Sequence, residues 1–316
     1  MYYIGVDLGG TNIAVGLVDE SGKIIAENST PTLWRRGYAA MIRDMADCAN
    51  KLLSENEIAL YDVKAVGIGI PGIGDNKTGR VIYCPNIDWH DVPLREEMQK
   101  YLNLPVMMDN DATVAGLAEN FAGISAGCES SVFLTLGTGV GGGIILGGKP
   151  WSGKHNVGSE IGHMIIEIDG DTCNCGKQGC LERYTSATAI DRMARQLAQG
   201  HKDSALYQAC GGDLNRINAK MVFDMAKDGD TIAMRVFRRY VKYLSIVISN
   251  VIMMLDPEMI VLGGGVSKCG DFLLNAVREE VPKYILYKDV PYSRIELARL
   301  GNDAGIIGAA MLGKNI

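Results

Sequence analysis

Apolar residues crowd the start of the chain and then stop at a glycine turn. Residues 2–7 form an apolar run that predicts a buried strand, ending in Asp7-Leu8-Gly9-Gly10-Thr11. Residues 12–18 and 23–27 predict two further strands around the turn Asp19-Glu20-Ser21-Gly22. Met41, Met45, Cys48 and Leu52 then recur at helical spacing, so residues 38–54 predict an amphipathic helix. Val63 to Ile70 reads as a short buried strand closed by Pro71-Gly72. Residues 94–102 read as helix and Pro105 to Met108 as the next strand, which ends at Asp109-Asn110-Asp111.

The pattern then begins again. Ser131 to Leu136 predicts a strand that runs into Gly137-Thr138-Gly139, and a glycine-rich hairpin follows from Val140 to Gly148. A long helix is expected from about Thr231 to Leu255, then a strand at Met259–Leu262 and the turn Gly263-Gly264-Gly265. A strand, a glycine-rich turn and a hairpin thus occur near residue 9 and near residue 137. Such a repeat predicts two similar α/β lobes with a cleft between them. The expected division is a small lobe over 1–115, onto which a C-terminal helix at about 302–316 packs back, and a large lobe over 116–301.

Bulk properties narrow the class. The 316 residues suffice for two lobes, and 22% charged with 47% hydrophobic residues is an ordinary globular composition. A formal net charge of -6 with no basic stripe argues against a nucleic-acid partner. The most apolar stretch, Tyr243 to Leu255, is too short to span a bilayer and carries Ser245, Ser249 and Asn250. It predicts a buried core helix and no membrane partner. The start resembles a strand with no basic leader, so a cytosolic protein is expected. There, its eight cysteines are expected to be free or metal-bound rather than bridged.

Two turns carry the chemistry of a phosphate site. At the end of the first strand, Gly9 and Gly10 let backbone N–H groups come close to phosphate oxygens, Thr11 adds a hydroxyl, and Asp7 can hold Mg²⁺ directly or through water. Gly137, Thr138 and Gly139 make the second such turn. Gly137, Gly139 and Gly142 also match a dinucleotide fingerprint, but that loop must open a helix, and here Ile144-Ile145-Leu146 continues as strand. A Walker-type loop from Gly143 to Lys149 fails because Pro150 stands where Ser or Thr is required. Two matched turns instead suggest a phosphate chain held from both sides, with Gly263 and Gly264 offering a flat backbone platform for adenosine.

Two Asn-Asp-Ala sequences stand at helix starts, Asn110-Asp111-Ala112 and Asn302-Asp303-Ala304. The aspartate of such a motif can be a helix N-cap or a general base that takes the proton of an attacking hydroxyl. Spacing alone does not choose between Asp111 and Asp303. The most specific local signal is Cys173-Asn174-Cys175-Gly176-Lys177-Gln178-Gly179-Cys180, with His163 ten residues upstream of Cys173. Three sulfurs and one imidazole make a closed tetrahedral zinc set with no position left for water, so the role expected is structural. Glu160 and Glu182 bracket the loop and read either as surface carboxylates or as acceptors for ligand hydroxyls, and if His163 holds the metal through one nitrogen the other is free to touch a ligand.

These pieces together resemble the ROK family (repressors, open reading frames and kinases). The resemblance runs from residue 5 to about 310. It rests on Asp7-Leu8-Gly9-Gly10-Thr11 with Gly16 and Asp19, Gly72, Pro85-Asn86, Asn110-Asp111-Ala112, Leu136 to Gly143, Glu160-Ile161-Gly162-His163, the cysteine loop through Glu182, and Leu262 to Val266. It implies the two-lobed hexokinase/actin-like (ribonuclease H-like) α/β fold, closing on ATP with Mg²⁺ and a hexose. It also implies Asp111 as the base, and Gly72, Asn86, Asn110, Glu160, His163 and Glu182 around the sugar. The ending Leu300-Gly301-Asn302-Asp303-Ala304-Gly305 resembles the bacterial branch that phosphorylates glucose at its 6-hydroxyl. Other branches act on N-acetylmannosamine, N-acetylglucosamine, fructose, mannose or allose, and some use polyphosphate. A homodimer is implied as well. Repressor members carry a winged helix-turn-helix before the first strand, and with six residues before Asp7 a DNA-binding repressor is not expected.

Overall fold

The strand, turn and hairpin unit is present twice, and each copy seeds a five-stranded sheet. In the computed structural model, which describes residues 1–315, the first copy is β1 (Tyr2–Leu8), β2 (Asn12–Asp19) and β3 (Ile24–Pro31). Helix α1 (Tyr38–Glu55) leads to β4 (Val63–Ile70). A small antiparallel sheet follows, made of β5 (Ile73–Asp75), β6 (Arg80–Cys84) and β7 (Trp89–Val92). Then come α2 (Leu94–Gln99), β8 (Val106–Asn110) and α3 (Asp111–Ala122). The second copy is β9 (Ser130–Leu136), β10 (Val140–Leu146) and β11 (Lys149–Pro150). Helices α4 (Glu182–Thr185), α5 (Ala187–Gln199), α6 (Ala205–Ala209), α7 (Ala219–Lys227) and α8 (Thr231–Leu255) precede β12 (Met259–Gly263), α9 (Asp271–Glu280), β13 (Arg294–Leu297) and α10 (Asp303–Leu312).

The sheet orders are β3-β2-β1-β4-β8 and β11-β10-β9-β12-β13. Renumbered from its own first strand, each reads third, second, first, fourth, fifth, so the repeat expected from two glycine turns extends to topology. In the first sheet, β1 pairs antiparallel with β2 and parallel with β4, and β4 pairs parallel with β8. Parallel strands need crossovers, and α1 is the first of them.

The chain divides into two compact units. One comprises residues 1–133, 143–159 and the segment from Arg299 on; the other comprises Leu134–Gly142 and Glu160–Ala298. A division after residue 115 would cut α3 within Asp111–Ala122, whereas the first unit keeps that helix whole. The C-terminal helix ends sooner than 316: α10 stops at Leu312 and a 3₁₀ turn covers Gly313–Asn315, while Ile316 lies outside the described residues. Among the described residues no helix is long and apolar enough to cross a membrane. The Tyr243–Leu255 stretch is the end of α8, whose Leu244, Val247, Ile248, Val251 and Ile252 are buried at helical spacing.

In the first unit, Met41, Ile42, Met45, Ala46, Cys48, Ala49, Leu52 and Leu53 of α1 cover one side of the core. A second cluster joins Val114, Leu117 and Ala118 of α3 to Ala304, Ile306, Ile307 and Ala310 of α10. That packing is unusually close. A Cβ on Gly5 or Gly67 would overlap the carbonyl oxygens of Ile306 or Ala309, and one on Gly308 would overlap that of Val114. The N-terminal strands and the C-terminal helix are therefore one packed body.

A buried charge ties the end of this body together. Glu119 on α3 is fully buried. Its Oε1 accepts the N–H groups of Arg299 and Leu300 at 2.8 Å each, and its Oε2 accepts that of Ile124 at 2.8 Å. Hydrogen bonds to a charged group contribute about 1.5–3 kcal/mol each, which offsets the cost of burying the carboxylate.

Candidate active site

The first unit gathers one half of the expected groups. The turn Gly9-Gly10-Thr11 joins β1 to β2, closed by Gly9 N–H donating to Asn12 O at 3.0 Å. The hydroxyl of Thr32 donates to Gly9 O at 2.7 Å and holds the turn from behind. Gly10 has no atom within 4 Å of where a Cβ would stand, so the turn is open on that side. Asp7 sits beneath it, packed against Gly305 in the first turn of α10. Burial pushes its carboxyl above the ordinary carboxylate range, and no hydrogen bond from a described residue compensates. A carboxylate left uncompensated suits a hard cation, and the open glycine turn beside it suits phosphate oxygens.

Residues 109–111 end β8 and open α3. The N-cap is Asn110: its side-chain oxygen accepts the N–H groups of Ala112 at 2.9 Å and Thr113 at 3.3 Å. The capping role that sequence spacing allowed for Asp111 thus belongs to its neighbour. Asp111 stands exposed at the first helical position, with Oδ1 accepting Ala112 N–H at 2.8 Å. Asn110 also donates to Gly72 O at 3.5 Å, and the Gly72 backbone lies so close to Tyr83 O that no side chain would fit. Asn86 is exposed in the 3₁₀ turn Pro85–Ile87. The second Asn-Asp-Ala opens α10, where Asn302 makes no side-chain cap bond and Asp303 is exposed.

The second unit gathers the other half. The turn Gly137-Thr138-Gly139 joins β9 to β10, and β10 continues as strand through Leu146, which disposes of the dinucleotide reading. Glu182, at the start of α4, accepts the N–H of Val140 at 3.0 Å. A Cβ on Gly139 would stand 2.5 Å from its Oε2, whereas one on Gly137 would meet only Gly139 O at 3.9 Å. The two glycines therefore differ: Gly137 leaves the turn open, and Gly139 makes room for Glu182. Gly264 has φ +84° and lies against the backbone of Leu136, so it also fixes the end of β12 against β9. Gly263 ends β12 and is buried.

Glu160 is exposed at the N-cap position of the 3₁₀ turn Ile161–His163, with no side-chain cap bond. The ligating atoms of His163, Cys173, Cys175 and Cys180 lie within 4.8 Å of one another. Cys175 Sγ is 3.6 Å from Cys180 Sγ, and Cys173 Sγ is 3.7 Å from His163 Nδ1. Zn–S bonds of about 2.3 Å and Zn–N bonds of about 2.0 Å in a tetrahedron put sulfurs about 3.8 Å apart and S···N about 3.5 Å apart. The two measured pairs match those spacings and the whole set lies close enough to take that ion, and Nδ1 is the nitrogen turned toward Cys173, leaving Nε2. All three cysteines are unbridged. Backbone bonds hold the loop's frame, with Cys173 N–H to Lys177 O at 2.7 Å and Leu181 N–H to Met164 O at 2.9 Å.

The model of the ROK family matches residues 3–316. The chain belongs to the ROK family. Among curated ROK relatives, the glucokinase of Halalkalibacterium halodurans is 39% identical over 99% of this chain and 95% of its own length. That of Thermotoga maritima is 40% identical over 98% and 96%. Among solved structures, the ROK glucokinase of Streptomyces griseus in complex with glucose and AMPPNP is 34% identical, covers all of both chains and superposes with a TM-score of 0.82. The hexokinase/actin-like α/β fold that the resemblance implied is the fold of this ROK chain. Two residues that sequence reasoning passed over also stand out in it. Asp109 accepts a hydrogen bond from Ser152, and Glu119 holds three backbone N–H groups; neither lies in a motif, and only an acidic residue at a strand end hinted at the first.

Proposed function

We propose that this chain is an ATP-dependent glucokinase that transfers the γ-phosphoryl group to the 6-hydroxyl of glucose. The observation that carries the reading is full-length likeness to a ROK glucokinase bound to glucose and AMPPNP, an imido analogue of ATP. In this reading Asp111 takes the proton of the attacking hydroxyl. Gly72, Asn86, Asn110, Glu160, His163 and Glu182 recognise the other hydroxyls. Backbone amides at Gly9, Gly10 and Thr11 and at Gly137, Thr138 and Gly139 cradle the phosphates, and Gly263 and Gly264 line the adenosine. Asp7 would hold Mg²⁺, which when bound neutralises phosphate charge. His163, Cys173, Cys175 and Cys180 would hold a structural Zn²⁺. We place the enzyme in the cytosol, as a homodimer, at the entry of glucose into metabolism.

A coupled assay of ATP against a panel of hexoses and N-acetylhexosamines tests this. Glucose is expected to give the highest kcat/KM; N-acetylmannosamine or another panel sugar above glucose would overturn the substrate, and no turnover of any sugar would overturn the reaction. The two glycines of the second turn separate the substrates. Gly137→Ala adds a methyl group to open space and should raise KM for ATP several-fold with sugar KM unchanged. Gly139→Ala displaces Glu182 and should raise sugar KM at least as much as that for ATP. Equal effects in both variants would remove the distinction.

A further inference from the structure

We infer that Asp109 and Ser152 form a positioning pair that holds the segment leading into Glu160 and so sets affinity for the sugar. The inference rests on the kinase reading and adds two residues to it. Asp109 ends β8, next to Asn110 and Asp111. Its Oδ1 accepts the Ser152 hydroxyl at 2.9 Å and the Asn110 N–H at 2.8 Å, and its Oδ2 lies 3.2 Å from the same hydroxyl. Ser152 belongs to residues 151–159, a loop that follows β11. Its two ends are bound to each other: Gly158 N–H donates to Ser152 O at 2.9 Å, and the Ser159 hydroxyl donates to Trp151 O at 3.0 Å. Glu160 is the next residue in the chain. One carboxylate thus fastens Ser152, and Ser152 fastens the residues from which Glu160 departs.

The loop needs fastening. Asn156 and Ser159 have φ of 56° and 70°, left-handed values that cost a non-glycine residue about 1–3 kcal/mol each unless surrounding contacts enforce them. The pair is also costly to keep. Asp109 lines a cavity of about 370 Å³ together with Asn76, Lys149 and Asn156. Burial pushes its carboxyl above the ordinary range, against the two hydrogen bonds that favour its ionised form. Among the described residues lining that cavity, Lys149 on β11 is the one other charged group. A serine hydroxyl and an expensive carboxylate at this point have no packing reason, since an apolar pair would cost less.

The sign of the pH dependence follows. Ser152 donates best to the ionised carboxylate. As pH falls through the raised carboxyl of Asp109, the bond weakens, and sugar KM should rise while KM for ATP stays level. The test is steady-state kinetics of wild type, Ser152→Ala, Ser152→Thr and Asp109→Ala across pH 5 to 8, with hydrogen exchange of the 151–160 amides on the same proteins. Ser152→Ala and Asp109→Ala are expected to raise sugar KM about tenfold with KM for ATP within twofold, to flatten the acid rise, and to speed exchange at Gly158 at least tenfold. Ser152→Thr keeps the hydroxyl and should restore all three. Unchanged sugar KM in Ser152→Ala, equal rises in both KM values, or a threonine variant that behaves like alanine would each overturn the pair's role. If the wild type phosphorylates no sugar, the kinase reading fails, and normal exchange in Ser152→Ala would then separately overturn the tie.

Discussion

Asp111→Asn should lower kcat by at least ~10²-fold, the low end for losing a general base, while KM for ATP and for sugar change little. The change keeps the shape of the side chain and one oxygen acceptor but removes the group that can take a proton. It should leave the fold intact, because the cap of α3 is made by Asn110 and the residues buried behind it are Ala112, Thr113 and Val114. Asp303→Asn is the matched control. Asp303 also opens a helix and is also exposed, but the side chain before it makes no cap bond. Its variant should turn over within a few-fold of wild type. Full activity in Asp111→Asn, or equal loss in Asp303→Asn, would remove Asp111 from the chemistry.

Removing the proposed zinc should harm sugar binding before nucleotide binding. About one zinc per chain is expected by elemental analysis, since one closed four-ligand set is present among the described residues. Cys175 is the exposed member, and Cys173 and Cys180 are buried. Cys175→Ala therefore opens the shell without leaving a cavity in the core. Supporting residues around a metal are worth 10–100-fold in its affinity, so loss of a ligand itself should cost more than about 100-fold. Beyond the ligands, the loop is held by backbone bonds and by side-chain bonds such as Lys177 Nζ to His163 O at 3.1 Å, and its ends lead to Glu160 and Glu182. Sugar KM should rise at least about tenfold and thermal stability should fall, with KM for ATP less affected. Active protein purified free of metal, or a Cys175→Ala variant with normal sugar affinity, would sink the role.

Most elements were legible along the chain because their signals are local. The predicted strand 63–70 is β4 and the predicted helix 231–255 is α8, each with the same bounds, since burial on both faces or on one stripe writes itself into neighbouring residues. The glycine turns and the cysteine loop were legible for the same reason: their chemistry lies within a few consecutive residues. The small sheet of β5, β6 and β7 left no such trace, because strands of three to five residues are too short to show a period. Sequence also determined that Asn110-Asp111 stands at a strand end, but not which of the two caps the helix, a matter of backbone angles at one peptide.

What only the tertiary structure decided are contacts between residues far apart in the chain. Gly139 reads as a phosphate-turn glycine, and it is the carboxylate of Glu182, 42 residues beyond Val140, that a side chain there would displace. Glu119 reads as an ordinary helical glutamate, yet it is fully buried because two acceptor-seeking N–H groups arrive from residues 180 and 181 positions away. Asp109 and Ser152 lie 43 positions apart and share one hydrogen bond. A residue's propensity and periodicity report its neighbours in sequence; whether its charge is buried, and which donor repays that burial, depends on the residues that folding brings to it.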